Sequence, residues 1–152
     1  MARVVAGGRQ HVSDTQRFYA AVALGSALGA IARYLVSIGL LSLLGPGYPW
    51  GTLVANVLGS VLIGLVSVCT QEGGRFRSSP LLRQFLMAGF CGGFTTFSIF
   101  SLEVVSLADQ GEWRQAAGYV VLSLGLWMGG VVSGVRLGTR LNRRHAQASC
   151  GE

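Results

Sequence analysis

Residues Gly89-Phe90-Cys91-Gly92-Gly93-Phe94-Thr95-Thr96-Phe97-Ser98-Ile99-Phe100 place three glycines, two threonines and a serine inside a hydrophobic stretch. Each glycine that replaces alanine in a helix costs about 1 kcal/mol. Main chain released at membrane depth persists only where protein or a water-filled cavity satisfies it. Interrupted spans of this kind form ion and substrate sites. The segment predicts a membrane chain with a break in its third span, at a place where an ion binds or passes.

The rest of the composition agrees. Half the residues are hydrophobic, only 12% are charged, and the mean hydropathy is +0.52; a water-soluble domain is excluded on those terms. Glycine supplies 23 of 152 residues, about twice its usual share, and suits close helix contact in lipid. All twelve basic residues are arginine. They flank the apolar segments and form no stripe with interleaved aromatics, so the net charge of +6 does not indicate nucleic acid. Cys69, Cys91 and Cys150 are an odd set without metal spacing. His11 and His145 lie in polar flanks, which leaves no zinc site or histidine-based catalyst. With no nucleophile–base pair in view, the chain is not read as an enzyme.

Hydropathy divides the chain into a polar flank at 1–17, a four-span domain at 18–139 and a basic tail at 140–152. The spans fall at about 18–44, 50–70, 81–107 and 114–137, each long enough for the roughly 20 residues that a bilayer core requires. Gly45-Pro46-Gly47-Tyr48-Pro49 is a turn. A polar linker occupies 71–80, and a short acidic loop 108–113. Four spans are too few to enclose a wide pore in one copy, so an oligomer is inferred.

Four spans put both termini and the linker on one side. That side holds ten arginines, Arg3, Arg9, Arg17, Arg75, Arg77, Arg83, Arg136, Arg140, Arg143 and Arg144, against Arg114 alone on the other. The positive-inside rule makes both termini cytoplasmic.

Polar residues inside the spans are the candidate site. Thr52, Asn56 and Ser60 are four apart and share a face of span two. They serve either as hydrogen bonds between helices or as a polar pathway. Phe97, Phe100 and Glu103 share a face after the break; a phenyl ring has a positive edge that attracts an anion without trapping it. Glu103 is an intramembrane carboxylate, and it either serves the pathway or accepts hydrogen bonds from Tyr119 or Ser123. Arg33, the one basic residue deep in a span, either snorkels or pairs with a carboxylate, or draws anions to a pore mouth. At the break, Gly92, Gly93 and Thr95 release carbonyl oxygens suited to Na⁺.

These residues resemble the Fluc family of fluoride channels, also called CrcB. The resemblance rests on Gly25-xxx-Gly29-Ala30-xx-Arg33-Tyr34, on Trp50-Gly51-Thr52-Leu53-xx-Asn56-xx-Gly59-Ser60, and on the run from Gly89 to Phe100. It spans about residues 25–137. It implies an all-α antiparallel dimer of the dual-topology type, in the cytoplasmic membrane of a prokaryote, with two fluoride pathways and a structural Na⁺ at the dimer centre. By motif, Phe97 and Phe100 resemble the ring-edge ligands and Asn56 the polar ligand from span two, while Gly92 and Thr95 resemble the Na⁺ carbonyl donors. Tyr119 and Ser123 resemble the start of a polar track, with Glu103 beside it, and Arg33 a vestibule arginine. Two residues depart from the pattern. Ile99 stands where threonine is frequent, and Trp127 where a small hydroxyl residue is usual.

The absence of an ATP motif or a proton-carrying histidine favours a passive channel that exports fluoride and so protects against its toxicity. The competing reading is a small four-span multidrug transporter, whose carboxylate belongs in the first span, where this chain has Arg33. A non-conducting scaffold, suggested by pairs such as Gly125–Gly129 and Gly130–Gly134, is a third. The ten-to-one arginine bias adds an expectation about the partner. Few copies should insert inverted, so the dimer forms either with such a minority or with a related subunit of opposite bias.

Overall fold

The computed structural model describes the main chain over residues 2–71 and 79–149, and side chains over 14–71 and 79–143. Apart from short turns, the described residues are helical. Helix α1 covers Ala2–Leu44, α2 Trp50–Cys69, α3 Pro80–Gln84, α4 Gly92–Phe94, α5 Phe97–Asp109 and α6 Trp113–Ser149, with a π-helical segment, Phe85–Cys91, between α3 and α4. Among the described residues, four stretches are long and apolar enough to cross a membrane: Asp14–Leu44, Trp50–Cys69, Pro80–Asp109 and Trp113–Arg143. Most of the predicted linker at 71–80 lies outside the described residues.

The helices outrun the apolar stretches at both termini, because hydropathy ends at the membrane face whereas main-chain hydrogen bonding need not. The connections follow from local chemistry. Gly45 takes φ +76° and Gly111 φ +81°, left-handed conformations open to glycine, and they end the first and third spans. Ser79 caps α3, its side chain accepting from the Leu82 amide, and Pro80 follows at the first helical position.

Helix α2 packs against α6, and α1 packs against α2 and the π-helical segment. The α1 contact is main chain on main chain: a Cβ at Gly25 would stand 2.5 Å from the Phe85 carbonyl oxygen, and one at Gly93 would stand 2.7 Å from the Ser26 Cα. Small residues at such crossings let helices approach closely in lipid. Of the two pairs on α6, Gly130 and Gly134 lie against α2, while added side chains at Gly125 and Gly129 would meet open space. The exposed apolar side chains, among them Tyr19, Leu43 and Val121, form an exterior suited to lipid. Leu53, Phe100 and Tyr119 make the buried centre, with Tyr48, Val104 and Trp127 packed around it.

Candidate functional site

Asn56 and the third span meet at two extended residues. Thr95 (φ −89°, ψ 157°) ends α4 and Thr96 (φ −150°, ψ 126°) precedes α5. Asn56 is buried, and its side chain fastens Thr96 at both ends. Its Nδ2 donates to the Thr96 carbonyl at 2.9 Å, and its Oδ1 accepts from the Thr96 amide at 2.8 Å. The Thr96 hydroxyl then caps α5 by accepting from the Ile99 amide at 3.3 Å.

These bonds redirect two donors. In an unbroken α-helix the Thr96 amide would serve the Gly92 carbonyl and the Ile99 amide the Thr95 carbonyl, each four residues back. One is instead donated to Asn56 and the other to the Thr96 hydroxyl. The Thr95 amide and hydroxyl both donate to Cys91, each at 3.0 Å. Gly92 and Thr95 line a cavity of about 410 Å³ together with Asn56, Ser60, Phe97 and Trp127. No charged side chain is in its lining.

The two phenylalanines are placed differently. Their ring centroids are 5.6 Å apart. Phe97 is 69% exposed and borders the cavity, while Phe100 is 5% exposed and lies 5.1 Å from the Tyr119 ring and 4.9 Å from that of Trp127. Glu103 accepts from the Thr52 hydroxyl at 2.7 Å and from the Tyr119 hydroxyl at 2.8 Å. Of the two partners open to it from α6, Tyr119 is the one used. The Ser123 hydroxyl is fully buried and has no partner among the described residues. On α2, Thr52 and Asn56 therefore both bond to a neighbouring helix and border cavities.

Arg33 lies elsewhere. Its Nε donates to the Gly93 carbonyl at 3.4 Å, so it reaches the main chain beside the extended pair. With Thr52, Glu103 and the turn from Gly45 to Trp50 it lines a second cavity of about 690 Å³. Sequence reasoning missed three features here. The π-helical segment leaves no periodic trace in the apolar run Phe85–Cys91. The two-ended hold on Thr96 depends on main-chain direction that no side chain encodes. The edge contact of Tyr48 with Tyr119, at 5.4 Å and 77°, joins a loop to α6 and depends on their packing.

Comparison with known proteins agrees with the motifs. The family model for CrcB-like protein, Camphor Resistance (CrcB), matches residues 20–135. A protein of Cereibacter sphaeroides named fluoride-specific ion channel FluC is 50% identical over 115 residues, covering 75% of this chain and 88% of its own length. One of the same name from Nitrobacter winogradskyi is 46% identical over 120 residues, covering 79% and 94%. Fluoride-specific ion channel FluC 1 of Rhodopseudomonas palustris is 45% identical over 130 residues, covering 86% and 92%. With the family match spanning most of its length and carrying every residue of the site just described, this chain belongs to the CrcB family.

Proposed function

We propose that the chain is a passive fluoride-selective channel that lets cytoplasmic fluoride leave the cell down its electrochemical gradient. The observation that carries the reading is the uncharged cavity at the Asn56–Thr96 junction, bordered by an amide NH₂, hydroxyls and the Phe97 ring. Fluoride is small and strongly hydrated, so a pore must replace its water with donors. One Asn56 N–H is committed to Thr96, which leaves the second for an anion. Hydroxyls and ring edges add donors without a cationic side chain in the lining that would trap the ion, as conduction requires. At the far end Glu103 is held by Thr52 and Tyr119, which engages its oxygens and limits repulsion of the anion.

The break at Thr95 and Thr96 also supports a structural Na⁺. The amides that would have occupied the Gly92 and Thr95 carbonyls are donated elsewhere, and hard oxygen donors on unwound main chain suit that ion. Two copies related antiparallel would supply four such oxygens, and would cover exposed Phe97. With both termini read as cytoplasmic on the arginine bias, the Arg33 cavity would face outward and serve as a vestibule. The antiparallel partner is a second copy or a related subunit.

Purified protein in liposomes, read with a fluoride-selective electrode, tests the channel reading. Fluoride efflux without chloride efflux is expected. Equal passage of both ions, or of neither, rejects it.

A further inference from the structure

We infer that the Trp127 indole N–H is a fluoride-binding donor on the pathway, set one helical turn from the Ser123 hydroxyl. The inference rests on the fluoride-channel reading and assigns that path a further donor from α6.

Trp127 Nε1 and Ser123 Oγ are both buried, and both lack a hydrogen-bond partner among the described residues. Buried indole N–H groups ordinarily find a partner, and a buried polar atom without one calls for an explanation. The two residues are four apart on α6 and therefore share a face. Phe100 packs against that face, its ring 4.9 Å from Trp127 at 69°. Trp127 also lines the 410 Å³ cavity with Asn56, Thr95 and Phe97. It thus connects the Asn56 end of the path to the buried Ser123.

The chemistry selects the ligand. An indole N–H donates and cannot accept, so what it binds must be an acceptor. The surroundings are aromatic rings and uncharged polar groups, with no cationic side chain in the cavity lining to hold a bulky or multiply charged anion. A dehydrated halide that accepts strongly fits, and fluoride is the strongest acceptor of that class. Trp127 thereby offers a donor from a side chain that also packs on Phe100.

Two measurements test this. In liposomes, Trp127→Phe keeps a ring and removes the N–H, and fluoride efflux should slow by about tenfold or more while the protein elutes as the wild type does. In the wild type in nanodiscs, the ¹⁵N–¹H indole resonance of Trp127, assigned with Trp50→Phe and Trp113→Phe, should move saturably as chloride is exchanged for fluoride. A resonance indifferent to fluoride, as an N–H bonded to another protein's carbonyl would be, overturns the inference even if Trp127→Phe fails to assemble. Wild-type efflux in Trp127→Phe overturns it also. Either result beside selective wild-type efflux leaves the channel reading standing, whereas a wild type that does not select fluoride over chloride removes both.

Discussion

Replacing Asn56 with aspartate changes an NH₂ into an oxygen and leaves the side chain's shape intact. The Thr96 carbonyl, now bonded at 2.9 Å, would then face a carboxylate. Loss of a buried hydrogen bond with its acceptor left unpaired costs about 1–3 kcal/mol, which should lower thermal stability, and fluoride efflux from liposomes should fall by about tenfold or more. The two phenyl rings separate packing from conduction. Phe97→Ile removes a ring edge from a side chain largely exposed in the single chain, and Phe100→Ile also removes contacts with Tyr119 and Trp127. Both should lose efflux, and Phe100→Ile should lower the melting temperature more than Phe97→Ile; wild-type flux in both would reject the ring-edge role. Which residue types belong in the site was legible from spacing on single helices. What each one touches was not, because Thr52–Glu103 and Asn56–Thr96 join different helices whose relative height no local pattern records.

Four apolar helices follow from hydropathy alone, since a bilayer demands length and little else. The π-helical segment Phe85–Cys91 does not, as it depends on the crossing with α1. Gly25 and Gly93 make that crossing possible, and alanine at either should destabilise the fold by about 1–3 kcal/mol through backbone displacement. Gly39, on the same helix α1 with open space around it, should accept alanine with unchanged or raised stability. Thermal unfolding in detergent distinguishes the two classes, and equal effects would show that the close approach has no role. The pair of released carbonyls carries its own expectation. Exchanging Na⁺ for a large organic cation should reduce fluoride efflux, and unchanged flux in rigorously Na⁺-free medium would count against an ion bound there.

Ten arginines on one membrane face against one on the other, as the sequence reads, bear on assembly. An antiparallel pair of identical chains needs both insertions, and this bias favours one of them. C-terminal reporters should therefore give mainly cytoplasmic signal, and a cell relying on this gene alone should resist fluoride poorly. Equal signals from both sides, with full resistance, would show that identical chains suffice. The hold of Asn56 on Thr96 has a different implication. An amide bonded at both its oxygen and its nitrogen resists swinging aside, so the proposed fluoride path that it borders would have no hinge at that residue. Flux through each copy would then follow voltage and concentration and not a movement of Asn56. A cell needing more or less of it would have to change how many copies it makes.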